Sequence, residues 1–149
     1  MSTKASNELT YLLAKKIIDF SPAADVFKIA LMADGFTFDE DNHEIWGDVS
    51  GSELGAGNGY AANGNTLAGV AVTKDDVNNR TNITWNNTSW TASGGPIGPS
   101  PGAVIYDDTV ASPVKPIVGY IDFGGNRTQA DGGVATIANP EVRIGKPSS

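Results

Sequence analysis

The chain has 149 residues, no cysteine and a formal net charge of −7. That length suits one domain able to hide about 70% of its unfolded surface. The missing cysteines exclude disulfides and thiolate metal sites, and the acidic balance argues against nucleic acid and anionic membranes as partners.

With 18 glycines and 8 prolines the composition is turn-rich, which points to a single β-rich domain over 1–149. The start, M-S-T-K-A-S-N-E-L-T, carries no apolar signal-peptide core, and no apolar run approaches the ~20 residues of a membrane helix. A protein made in the cytoplasm is expected. Sequons, among them those at Asn82, Asn86, Asn87 and Asn126, then read as ordinary loop asparagines.

Leu9, Leu12, Leu13, Lys16 and Ile17 follow a helical period, which predicts a helix over 7–19, capped by Ser6 or Asn7 and ended by Ser21-Pro22. Its apolar face either packs on the core or docks on a neighbouring subunit. A β domain over about 26–144 follows. Strands are expected at Val26–Ala33, Thr66–Thr73, Thr81–Trp85, Ala103–Tyr106, Ile117–Phe123, Val134–Ala138 and Val142–Ile144. Lys74–Asn79, Gly124-Gly125-Asn126 and Asp131-Gly132-Gly133 read as turns, Gly94–Gly102 as irregular, and 145–149 as a loose tail. One helix followed by about seven short strands is the pattern of a β-sandwich or jelly-roll-like domain.

The richest segment is Asp48–Leu67, with five glycines, the acids Asp48 and Glu53, and one aromatic, Tyr60. Gly55-Ala56-Gly57-Asn58-Gly59 suggests a phosphate cradle. A dinucleotide fingerprint, however, needs a helix after it, and Asn63-Gly64 is a turn; a P-loop needs Gly-Lys-Ser/Thr, which is absent. A cluster of β-turns with Tyr60 packed inward is the better reading.

The acid-rich stretch Asp39, Glu40, Asp41, His43, Glu44 and Asp48 could supply oxygens to Ca²⁺, but Glu44 stands where an EF-hand needs glycine. A solvated acidic loop is expected, with no metal and no cofactor. His43 is the only histidine, and no serine lies in a nucleophile elbow. Asp107-Asp108 are adjacent and on a strand would point to opposite faces, and they are expected to open the loop after Tyr106. A pair of acids for glycoside hydrolysis has no motif behind it. Tyr120 and Trp85 read as core, whereas Trp90, beside Asn86, Asn87, Thr88 and Ser89, reads as a loop residue open to sugars.

Four motifs occur in order across residues 7–138: F-K-I-A-L-M-A-D at Phe27–Asp34; D-V-S-G-S-E-L-G-A-G-N-G-Y with N-G-N-T-L; W-T-A-S-G-G-P-I-G-P followed by A-V-I-Y-D-D-T; and P-I-V-G-Y-I-D-F-G-G at Pro116–Gly125. Together they resemble a group of small tailed-bacteriophage virion proteins. The sequence departs from that pattern at Pro99-Ser100-Pro101 and after Asn139. The resemblance implies a structural part of the particle, with no catalytic residue to carry over. The expected role is a head decoration or cement protein bound to the major capsid protein or other virion subunits, in many copies or as a homo-oligomer. A tail adaptor or fibre protein and a carbohydrate-binding module are the alternatives. The expected contact residues are Leu9, Leu12, Leu13 and Ile17 on the helix, Phe36, Phe38 and Trp46 in the acidic loop, and Trp90 and Ile97 near the proline-rich loop.

Overall fold

A computed structural model describes residues 2–145. Among them the chain forms ten strands and two α-helices: β1 (Ser2–Ala5), α1 (Asn7–Ala14), β2 (Phe27–Leu31), α2 (Trp46–Val49), β3 (Asn65–Thr66), β4 (Ala71–Asp75), β5 (Arg80–Thr84), β6 (Thr88–Thr91), β7 (Ile97–Asp107), β8 (Ile117–Gln129), β9 (Val134–Ile137) and β10 (Glu141–Gly145). The fold is mainly β. Five strands pair antiparallel in the order β1-β8-β7-β2-β3, three in the order β10-β5-β4, and β6 pairs with β9. The tail expected over 145–149 lies outside the described residues, except for Gly145, which ends β10.

The central strands β2, β7 and β8 of the five-stranded sheet send apolar side chains to both faces. Side chains alternate along a strand, so an unbroken apolar run must be covered twice. In β2, Phe27, Ile29 and Leu31 enter one core and Ala30 the other; in β7, Ala103 and Ile105 face the first, Val104 and Tyr106 the second. The first core is completed by α1 (Leu9, Leu12), by Ile83 and Val142 of the three-stranded sheet, and by Trp90 and Ile137 of the β6–β9 pair. The second is closed by Phe38, Trp46 and Val49, from the segment between β2 and β3. The small sheets and α1 thus form one layer and this segment another.

β8 serves both cores through a bulge. Ile105 pairs with Gly119 and Tyr106 with Ile117, which leaves Val118 as an extra residue. The alternation is thereby reset: Ile117 and Tyr120 face the second core, Val118 and Ile121 the first. Gly119 faces the first core as well, where an added Cβ would lie 2.6 Å from the Lys4 carbonyl oxygen and 3.0 Å from Val142 Cγ2. The missing side chain lets β1 and β10 close over β8.

Several expectations are corrected. The helix stops at Ala14, not at residue 19. Ser6 caps its start, accepting from the Glu8 N–H at 3.2 Å. At its end Lys16 turns left-handed (φ 58°), the Lys16 N–H reaches the Leu13 carbonyl and the Ile17 N–H the Leu12 carbonyl. This two-bond closure usually takes glycine, so nothing in K-K-I-I announced it.

The segment expected at Thr66–Thr73 is two strands, β3 and β4, with Gly69 left-handed between them (φ 71°). Lys74 and Asp75 belong to β4 rather than to the following turn. Gly94–Gly102 is not wholly irregular, because β7 begins at Ile97. Ile97, Ser100 and Gly102 are its paired residues there, and Pro99 and Pro101 fall in register shifts between them, where no ladder donor is required. Gly124-Gly125-Asn126 is no chain reversal either. From Asp122 to Arg127 β8 advances five residues while β7 advances two, from Gly102 back to Ser100, and the surplus bulges outward through left-handed Gly124 and Gly125. Trp90 lies on β6 and is buried.

Candidate functional site

The glycine-rich segment builds a clasp on the edge of β2. β3 covers only Lys28 and Ile29 of that edge, so the Leu31 N–H lacks a ladder partner there. The Tyr60 hydroxyl supplies one, accepting from Leu31 N at 2.9 Å and donating to Glu53 Oε1 at 2.8 Å. The same carboxylate oxygen accepts from the Asn63 N–H, and the Leu54 N–H returns to the Leu31 carbonyl at 2.9 Å. Burial, and after it the Glu53 carboxylate, hold the Tyr60 phenol far above its ordinary pKa. It therefore stays a donor at every physiological pH.

Two glycines let the clasp approach this closely. A Cβ on left-handed Gly64 would lie 1.9 Å from the Ile29 carbonyl oxygen, and one on left-handed Gly59 would lie 1.9 Å from that of Thr91. Gly57 and Tyr60 exchange both backbone hydrogen bonds, which takes those N–H groups away from any anion. The chain continues into a turn and β3, without the helix a phosphate site needs. The segment is framework, and Tyr60 packs inward as its position suggested.

The acidic segment does not reach outward with its aromatic residues. Phe38 and Trp46 are buried, with Phe38 stacked on Tyr120 and Trp46 on Tyr106 at 4.5 Å. Phe36 is half-buried, edge-on to Tyr120 and stacked on His43. The acids organise the loop itself. Asp39 accepts from the Asn42 side chain and from the backbone of Asp41 and Asn42, bonds that hold its carboxyl below the usual range. Asp48 accepts from the N–H groups of Glu44 and Ile45. Among the described residues no group of three or more acids and histidines is arranged to hold a metal ion.

The remaining expected contact residues are also interior. Leu9, Leu12, Trp90 and Ile97 are buried in the first core, and Leu13 and Ile17 are half-buried against it. The apolar helix face is therefore a core face. Trp85 and Trp90 are 2% and 4% exposed, so neither offers the open ring of a sugar platform. What looked like a docking set is the material that joins the layers, because apolar spacing alone does not tell an internal face from an external one.

Two features escaped the sequence reading. The first is Asp107, at the inner end of β7 and 0% exposed. Its Oδ1 accepts from the Thr109 N–H (2.9 Å) and the Val110 N–H (3.3 Å), but no donor among the described residues reaches Oδ2. Its side-chain neighbour is Asp25, so a bond between them forms only when one carboxyl carries a proton. Burial, then Asp25, push the Asp107 carboxyl up to about 7. Its neighbour Asp108 points the other way, to Lys115 at 3.2 Å and Lys28 at 4.0 Å. The acid closing the apolar run A-V-I-Y-D was the available signal.

The second is a cleft of about 510 Å³ between the outer part of β8 and β9. The turn Ala130–Gly133 joins these strands, yet no ladder forms between them. Leu31, Trp90, Ile97, Phe123 and Ile137 supply apolar lining, with Arg127 and Val134 also bordering the cleft. This residue set has no general acid or base, and it suits an apolar group with a nearby negative charge.

No protein-family model, no curated protein and no solved structure matches this chain. No helix among the described residues is long and apolar enough to cross a membrane.

Tyr60→Phe keeps the ring but orphans the Leu31 N–H and one Glu53 bond. A loss of about 1–3 kcal/mol is expected in denaturant unfolding. Asp107 should give the fold a downward slope of stability with pH. A carboxyl raised to about 7 in the fold contributes fully below its unfolded value of about 3.9, and that contribution is lost as pH rises toward 7. Asp107→Asn, whose amide can donate to Asp25 at any pH, should flatten the slope between about pH 4 and 7. The term is at most about 4 kcal/mol and is read from denaturation midpoints across that window.

Proposed function

We propose that this chain is a non-enzymatic structural component of a tailed-bacteriophage particle, acting as a decoration protein that binds across capsid subunits and stabilises the head. The observation that carries the reading is the use to which the motif residues are put. Glu53, Tyr60 and Gly64 tie a loop to β2, and Tyr120 of the G-Y-I-D-F motif lies under the acidic segment. Residues with these roles maintain a scaffold, which fits a protein that works by being bound rather than by turning over a substrate.

A particle part of this kind acts through number. Each copy adds a modest contact at a joint between shell subunits, and multivalency converts many such contacts into resistance to disassembly. With Leu9, Leu12, Phe38, Trp46, Trp90 and Ile97 buried, contact with the major capsid protein falls to the half-buried Leu13, Ile17 and Phe36 and to side chains left outside, among them Tyr11 (55% exposed) and Val114 (53%). A net charge of −7 keeps a crowded surface soluble.

The test is mass spectrometry and cryo-electron microscopy of purified particles of the phage that encodes the chain. The expected result is its presence at a copy number matching icosahedral symmetry. A few copies on the tail axis would replace the head role with a tail role, and absence from the particle would overturn the reading.

A further inference from the structure

The cleft between β8 and β9 has a complement on the same molecule. Arg127, at its border, is exposed; its guanidinium donates to the Phe123 carbonyl at 3.4 Å but forms no ion pair among the described residues, in a chain where acids outnumber bases by seven. Beside it Phe123 and Trp90 form the buried floor of the cleft, and Val134, 53% exposed, is its accessible apolar side chain. β9 is hydrogen-bonded on one side only, to β6.

The tip of the β4–β5 hairpin has the opposite character. Arg80 and Asp75 close its base with an ion pair at 3.0 Å, and Asn78 is bonded to Asp75, so the turn is held in shape. Val77 stands on this turn 90% exposed, the most exposed of the large apolar side chains among the described residues. Next to it Asp76 is exposed and has neither an ion pair nor a side-chain hydrogen bond among the described residues. A single exposed valine is ordinary. An exposed valine joined to an acid without an ion pair, on a braced turn, matches a cleft that joins an exposed valine to a guanidinium whose charge no carboxylate meets among the described residues.

The geometry points to self-association, with the Asp76–Val77 tip of one copy seated in the β8–β9 cleft of a second copy, Val77 against Val134 and Asp76 toward Arg127. Tip and cleft are different patches. The contact therefore closes a pair only if both copies exchange tips, and otherwise propagates head to tail into a ring or filament. Arginine suits the role because its planar fork can hold a carboxylate with two bonds. This inference needs no virion: the purified chain alone should show it, whether or not the decoration reading holds.

The experiment is light scattering after size exclusion over a range of protein concentration. Wild type should move from monomer mass to a multiple of it. Arg127→Glu and Val77→Asp, both at exposed side chains, should weaken association at least tenfold while leaving circular dichroism and thermal unfolding unchanged. The double variant Arg127→Glu/Asp76→Arg should recover it by reversing both charges. Monomer mass at all wild-type concentrations, association untouched by Arg127→Glu, or no recovery in the double variant would each overturn the inference.

Discussion

The fold depends on one constraint: the central strands of the five-stranded sheet send apolar side chains to both faces, and each face must be covered by different parts of the chain. A sheet with one wet face could stand on a single layer. This one cannot, since β2 and β7 alternate between two cores without a polar face. The long excursions follow from that requirement. The segment from Phe36 to Val49 covers one face, and α1, the three-stranded sheet and the β6–β9 pair cover the other. Side chains that look free to bind in the sequence are used for this purpose.

The clasp at Tyr60 is where the two coverings meet the same strand. β2 supplies residues to both cores, yet its outer edge is paired by β3 at only two residues. Tyr60 belongs to the first core and bonds through its hydroxyl to β2 and to Glu53, while Tyr106, in the second core, donates to the Asn63 carbonyl of the same loop at 2.8 Å. The glycine-rich segment thus replaces ladder bonds that a longer β3 would have made. An unmet buried N–H at Leu31 would cost about 1–3 kcal/mol. The glycines are required because the loop lies directly on backbone carbonyls.

Much of this was legible in the sequence and some was not, for identifiable reasons. The strands around Ile29, Ile105, Ile121 and Val142 announce themselves through apolar β-type runs, and the inward packing of Tyr60, Trp85 and Tyr120 follows from their settings. The end of α1 was hidden because lysine holds the left-handed position. The start of β7 was hidden because Pro99 and Pro101 look like breakers until a partner with matching bulges is known. The burial of Phe38 and Trp46 depends on a second apolar face of the sheet, and that of Trp90 on the β6–β9 pair lying over the first; both show only when strands are assembled. The opposition of Asp25 and Asp107 across 82 positions is likewise a product of topology.

Hydrogen exchange at the Leu31 amide tests the clasp most directly. This N–H bonds to a side-chain hydroxyl at the edge of the sheet rather than to a neighbouring strand. If the clasp is integral to the two-sided core, the Leu31 amide should exchange only with global unfolding, as slowly as the ladder amides of Val104 and Ile105. Exchange orders of magnitude faster than those amides would show that the segment opens on its own, and would contradict its place as the element that ties both coverings to β2.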